Sequence, residues 1–94
     1  MKDKAIEELG FVIVVLDRGF VYVGDAEIHV PENRDMGSRM VIRQCRNIRV
    51  WGTDKGLGQI AVSGPTAKTI LDEVGTVVAP MSSVVHWMIC LKKF

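Results

Sequence analysis

The residues best suited to chemistry lie between Ile48 and Thr66, where an alternating, strand-like segment runs into a glycine-rich turn. Glycines let a ligand approach the backbone, and unpaired N–H groups at a following helix N-terminus attract anions. The turn lacks the Gly-Lys-Ser/Thr of the phosphate-loop consensus, so a purely structural turn remains an alternative. The candidate ligand-binding residues are Arg43, Arg49, Trp51, Thr53, Lys55, Gly56 and Gly58.

Arginine is concentrated just before this turn, although the net charge of the chain is only +1. Residues 1 to 33 hold seven acids and three bases, whereas residues 34 to 55 hold six bases and two acids. The planar guanidinium group suits phosphate and carboxylate equally. The cluster is therefore either an anion site or a set of ion pairs with the acidic first third, inside one subunit or across a dimer.

Trp51 beside Arg49 could stack a nucleobase while guanidinium groups hold its phosphates. Arg43 shares their face only if the register of the strand is unbroken. The alternative is that Trp51 packs over the core.

Reactive residue types are scattered rather than grouped. Cys45 and Cys90 lie far apart with no Cys-x-x-Cys spacing, so we expect buried free thiols and neither a metal site nor a disulfide framework. His29 and His86 have no nucleophile at a suitable spacing and are expected to be packing residues. We therefore expect a protein that is not an enzyme and that uses no cofactor.

The glycine-rich stretch and the residues after it form an Arg-x-Trp-Gly-Thr-x-Lys-Gly-Leu-Gly-x-Ile-Ala-x-x-Gly-Pro-Thr motif followed by Thr-x-Leu-Asp: Arg49, Trp51, Gly52, Thr53, Lys55, Gly56, Leu57, Gly58, Ile60, Ala61, Gly64, Pro65, Thr66, Thr69, Leu71 and Asp72. This motif resembles a family of short proteins of tailed phages and prophages with no known activity. The resemblance covers about two thirds of the chain. It implies a phage accessory protein made in the cytoplasm of the bacterial host.

The first half of the chain predicts a β-hairpin. Residues 1 to 9 are expected to form a frayed helical segment that ends at Gly10. The β-branched run of residues 11 to 16 and the segment from 20 to 28 flank a three-residue turn ending in glycine, which is typical of a hairpin with a left-handed residue. Residues 29 to 38 are rich in turn-forming types and predict a surface loop.

The second half predicts further strands and one helix. Residues 40 to 51 form a strand pattern interrupted by Gln44 and Arg46, which indicates a bulge, a bend or two strands. A short helix within residues 55 to 63 should stop at Gly64. Residues 66 to 74 fit a helix or a strand, with strand slightly favoured. Residues 76 to 79 and 84 to 91 complete the strands, and the last is expected to be central or in a subunit interface.

These patterns predict a mostly β (α+β) single domain, residues 1 to 94, with a small antiparallel sheet or barrel of about six strands and one or two short helices. No apolar run approaches a bilayer-spanning length and the first residues are charged, so a cytoplasmic location with no membrane partner is expected.

Three functions from different classes remain. The first is an oligomeric binding protein that sequesters an anionic small molecule, such as a nucleotide-derived host defence signal. The second is a structural or protein-interaction role, as a virion accessory or an inhibitor docking on a host protein. Single-stranded nucleic acid ranks third, because the domain is not basic as a whole.

Overall fold

The computed structural model describes residues 3–33 and 37–94. Five antiparallel strands form one sheet in the order β4-β3-β2-β1-β5, which confirms the mostly β fold class, with five strands against about six expected. The elements in chain order are β1 (Asp3–Leu16), a 3-10 turn (Asp17–Gly19), β2 (Val21–Pro31), β3 (Arg39–Val50), α1 (Leu57–Ser63), β4 (Ile70–Pro80), a second 3-10 turn (Met81–Ser83) and β5 (Val84–Ile89).

The predicted hairpin is confirmed by the pairing of β1 with β2. Its turn places Arg18 and Gly19 at φ angles of 61° and 81°, and the Leu16 N–H donates a hydrogen bond to the Phe20 carbonyl oxygen at 2.8 Å. The helical segment expected over residues 1 to 9 is wrong for the described residues, because β1 starts at Asp3 and pairs with the end of β2. Ladder hydrogen bonds to β2 outweigh the weak helical preference of so short a segment.

A line of irregular residues crosses the sheet and bends it. Gly10 in β1 and Gly75 in β4 have φ angles of 78° and 80°, and the intervening β3 has Gln44 at 48°. Register shifts mark the same line, at Gly10 in the pairing of β1 with β2 and at Cys45 in the pairing of β3 with β4. Of the three alternatives raised by Gln44 and Arg46, a bulge, a bend or two strands, the structure has a bulge within one strand, and it increases the local twist of the sheet.

The connection from β4 to β5 shows how far the sheet curls. Only the 3-10 turn Met81–Ser83 joins these two strands, yet they form opposite edges of the sheet. Four Cα steps reach at most about 14 Å, whereas four strand spacings in a flat sheet span about 19 Å. The sheet must therefore curl towards a barrel at that end, although β4 and β5 do not pair with each other.

Two hydrophobic cores lie on the two faces of the curled sheet, and α1 packs only against the second. Successive residues of β1 alternate between them, as strand geometry requires. The first core consists of Val12, Val14, Leu16, Ala26, Met40, Ile42, Cys45 and Ala79. The second core consists of Ile13, Val21, Val23, Ile48, Leu57, Ile60 and Ala61.

The second half of the chain confirms most of its expected elements. The helix is α1, which ends before Gly64, whose N–H donates to the Ile60 carbonyl oxygen at 2.8 Å. Of the ambiguous residues 66 to 74, the part from Ile70 onward is strand. β4 continues through Gly75 to Pro80, so two expected strands are one.

Two expectations about strand ends and positions need correction. β5 is an edge strand rather than a central one. The loop expected over residues 29 to 38 begins later, because β2 continues to Pro31 and β3 starts at Arg39. Residues 34 to 36 of that expected loop lie outside the described residues.

Candidate functional site

The bulge in β3 separates the arginines that the candidate site needs. Arg43 lies opposite Asp25 on β2, and Asn47 lies opposite Tyr22. Opposite residues share a face, whereas residues an odd number apart on β2 point to opposite faces. Arg49, two residues after Asn47, is therefore on the other face from Arg43. The condition for a shared face, an unbroken register, is not met.

Both arginines are also engaged in ion pairs across neighbouring strands. Arg43 Nε donates to Glu27 Oε1 at 2.6 Å, and Arg49 Nε donates to Asp72 Oδ2 at 2.8 Å. The guanidinium groups remain more than half exposed, so these pairs contribute little to stability. The predicted pairing with the acidic first third of the chain is found for Arg43, whose partner is Glu27, whereas Arg49 pairs with Asp72 in β4.

The other five candidate residues lie close together in the glycine-rich turn because they are near one another in sequence: Trp51, Thr53, Lys55, Gly56 and Gly58. The Thr53 hydroxyl donates to the Gly56 carbonyl oxygen at 2.8 Å, and the Lys55 N–H donates to the side-chain oxygen of Gln59 at 2.9 Å. Trp51 and the Lys55 side chain are exposed. Two groups that could have received a ligand are thus used inside the turn.

The glycines of this turn differ in what they require. A Cβ atom at Gly52 would collide with the backbone of Lys68 and Thr69, so this glycine is needed for packing. Gly56 has a φ of 84° but open space around it. Gly58 lies inside α1 with open space and no positive φ. The Thr66 hydroxyl donates to the Gly52 carbonyl oxygen at 2.6 Å and so holds the start of the turn in place.

His29 belongs to a charged network on β2 and β3. Its Nδ1 lies 3.3 Å from Arg39 Nη2 and its Nε2 lies 3.0 Å from Glu27 Oε2. Arginine can only donate, so Nδ1 accepts and Nε2 carries the proton that is donated to Glu27. The hydrogen bond from Arg43, with help from His29, holds the pKa of Glu27 below its usual value, although partial desolvation opposes this. The imidazole is buried and hydrogen-bonded, as expected for a packing histidine.

A cavity of about 420 Å³ opens where the line of irregular residues crosses the sheet. It lies on the side of the second core, since its walls include Arg46, opposite the core residue Val23, and the rings of Phe11 and Phe94. The two rings meet edge to face, with centroids 5.0 Å apart. Volumes of this size are typical of small-ligand sites.

Two cations stand against these two rings. The guanidinium carbon of Arg46 lies 5.3 Å from the centroid of Phe94, whose carbonyl oxygen accepts a hydrogen bond from Arg46 Nη2. Lys93 Nζ lies 5.7 Å from the centroid of Phe11 and 3.1 Å from Asp25 Oδ2. Arg46 has five donor N–H groups, and this carbonyl is its one hydrogen-bond acceptor among residues 3–33 and 37–94. Arg46 therefore has donors left for a ligand.

Two more polar side chains line the cavity, and in the described part of the chain neither has a hydrogen-bond partner. Gln44 points from the strained position in the bulge of β3, and Glu73 lies opposite Arg46 on β4. A non-glycine residue held at positive φ is costly and tends to occur where a side chain must be aimed. The cavity thus offers amide, carboxylate and guanidinium groups beside aromatic rings.

Burial acts on both thiols in the same direction. Burial raises the pKa of Cys45, which also lines the cavity, to about 12. Burial also raises the pKa of Cys90. Since the thiolate is the reactive form, Cys45 stays protonated at neutral pH and is not a nucleophile. Both cysteines are free; Cys45 is buried, as expected, whereas Cys90 is partly exposed.

Sequence reasoning missed most of the cavity. Asp25, Glu73 and Lys93 carry no local signal, because they meet only through strand pairing and the return of the chain after β5. One signal was available: Gln44 and Arg46 interrupt the otherwise apolar face formed by Met40, Ile42, Ile48 and Val50.

Comparisons with known proteins identify no relative of this chain. No family model matches the chain, and neither do curated proteins or solved structures. In the described part of the chain no group of three or more metal-ligating side chains comes together, and no helix there is long and apolar enough to cross a bilayer.

Proposed function

We propose that this protein is a non-catalytic binding module that captures a small anionic ligand carrying a ring system, of which a nucleotide is the best example. The observation that carries the proposal is the cavity at the bulge of β3, where Arg46 faces the ring of Phe94 with donors to spare. Charge-assisted donors next to aromatic rings are what phosphate and base need together. The protonated state of Cys45 supports binding without covalent chemistry.

The cavity replaces the glycine-rich turn as the preferred ligand site. In the turn, the Thr53 hydroxyl and the Lys55 N–H already have internal partners, whereas Gln44 and Arg46 can donate to an anion in the cavity. Glu73 can only accept, so it would face an N–H group of the ring system and not the phosphate. Arg43 does not line the cavity, and its charge is paired with Glu27. Arg49 lies on the other face, and neither Arg49 nor Trp51 lines the cavity.

The biological setting of the proposal rests on the motif around Trp51 and Lys55. Its resemblance to short tailed-phage proteins supports a phage accessory protein that acts in the bacterial cytoplasm. A phage protein that binds a nucleotide without turning it over would sequester it, and a nucleotide-derived host defence signal is the ligand class we propose.

Native mass spectrometry and calorimetric titration test the proposal. Protein purified from cells should carry, or bind when added, a nucleotide at micromolar concentration. Arg46→Met keeps the length of the side chain but removes a charge-assisted contact worth about 1.5–3 kcal/mol, so affinity should fall about ten- to hundredfold. Lys92→Met removes an exposed charge after β5 and serves as the matched control. Absence of any nucleotide binding, or equal affinity in both variants, would reject the cavity as the site.

A protein-interaction role is the second candidate, and a different observation favours it. Large apolar side chains are exposed along β4 and β5, among them Val78 and Ile89. Exposed apolar patches of this kind often mark docking surfaces. Pull-down from host lysate with wild-type protein and with Ile89→Lys separates the roles: a host protein lost in the variant supports docking, whereas capture of none leaves ligand binding.

A further inference from the structure

Both edges of the sheet have unsatisfied pairing capacity. Among the described residues, β4 pairs only with β3 and β5 only with β1, so each strand lacks a second neighbour. Beyond the end of β5, the Leu91 N–H donates to the Ala61 carbonyl oxygen of α1. Unpaired edge strands are templates for pairing with another chain. The curl brings the connected ends of β4 and β5 together, but no pairing between the two strands closes the sheet within the described residues.

Apolar side chains are concentrated on the same two edges. On β5, Val85, Trp87 and Ile89 alternate and so share one face, and Val85 and Ile89 are 62 % and 69 % exposed. On β4, Val74 and Val78 are 45 % and 58 % exposed. Exposed β-branched residues on unpaired edges are unfavourable in water and suit burial against another strand.

The charges of the two edges are complementary. Glu73 near the start of β4 and Lys92 just after β5 have no ion pair in the described part of the chain, whereas Asp72 and Lys93 are already paired with Arg49 and Asp25. An antiparallel pairing between β4 of one molecule and β5 of another would place the acidic start of one strand against the basic end of the other. It would also bring the valine-rich end of β4 near Val85. Such a match favours this register over pairing of like edges.

We infer that the β4 edge of one copy of this chain pairs with the β5 edge of the next copy, in a head-to-tail contact that closes into a ring. A two-fold contact through β5 alone would leave Val74 and Val78 exposed on both molecules. The head-to-tail contact covers both edges at once, and such contacts form rings when the rotation between copies closes. This inference does not depend on the proposed ligand.

Light scattering coupled to size exclusion gives the first test. The chain of 10.4 kDa should elute at three or more times that mass. Val78→Lys blocks the β4 edge and Ile89→Lys blocks the β5 edge, and each variant alone should be monomeric. Mixed together, they should form a 1:1 heterodimer, because each keeps the edge that the other has lost. Val62→Lys on the exposed side of α1 is the control and should assemble like wild type.

Each outcome decides the matter. Monomeric wild-type protein overturns the inference. A dimeric Val78→Lys variant assigns the contact to β5 alone, and failure of the two monomers to combine rejects head-to-tail pairing. Both substituted side chains are largely exposed, so the fold should survive. If circular dichroism shows otherwise, Val74→Lys and Val85→Lys block the same edges and must give the same pattern.

Discussion

Gly24 lies where β2 comes very close to the backbone of β3, so adding a side chain there should destabilise the protein. A Cβ atom there would lie 2.7 Å from the Arg43 carbonyl oxygen, 2.8 Å from the Ile42 Cγ2 atom and 3.2 Å from the Cys45 Cα atom. Two of these three atoms belong to the backbone of the bulge in β3 and cannot rotate away. Gly24→Ala therefore forces β2 and β3 apart at the bulge. Overpacking of this kind costs about 1–3 kcal/mol, and we expect a value near 2 kcal/mol.

Thermal unfolding followed by circular dichroism measures this cost. For a domain of this size, about 2 kcal/mol corresponds to a fall in melting temperature of about 8–16 °C. Gly58→Ala is the matched control, because Gly58 is helical with open space and should gain up to about 1 kcal/mol from better helix propensity. A Gly24→Ala protein with the same melting temperature as wild type would refute the close approach of β2 to the bulge.

Three further predictions test the charged network and the glycine-rich turn. Because the pKa of Glu27 is lowered in the folded state, its stabilising contribution is present above the usual pKa of 4.5 and is lost as pH falls through the lowered value. Glu27→Gln should thus lower the melting temperature at neutral pH, and melts in increasingly acidic buffer should show the difference closing. Thr66→Val removes the hydrogen bond to Gly52 and should cost about 1 kcal/mol in urea titrations. Lys55→Ala should leave the melting temperature unchanged, since its exposed side chain has no contact in the described part of the chain. If it lowers nucleotide affinity in calorimetry, the ligand binds at the turn and not in the cavity.

The elements with strong local signals were predictable from sequence. Three features have a local sequence signal and are present in the structure: the β-branched run before Asp17, the turn ending in Gly19 and the end of α1 at Gly64. Gln44 and Arg46 correctly indicated a bulge, because two polar residues on one face of a buried strand cannot both face the core. These features need only neighbouring residues to be interpreted.

The predictions that failed concern residues whose partners are distant in sequence. Residues 3 to 9 look helical alone, but they pair with β2 around His29 and so become strand. Gly75 resembles a turn, yet β4 continues through it because β3 has its own bulge opposite. The cavity combines β1, β2, β3, β4 and the residues after β5, so its composition follows from strand order, which no local pattern specifies.

The placement of β5 beside β1 has a kinetic consequence. Trp87 pairs opposite Val14, so the inner strand β1 reaches its second neighbour only through contacts that span most of the chain. Long-range pairings of this kind form slowly, because the chain must lose the entropy of closing a long loop before the new contacts stabilise it. During synthesis, β1 can pair with β2 early but must wait for β5. A fluorescence change at Trp87 should therefore mark the last step of refolding, and until that step one side of β1 is open to chaperones or to another nascent chain.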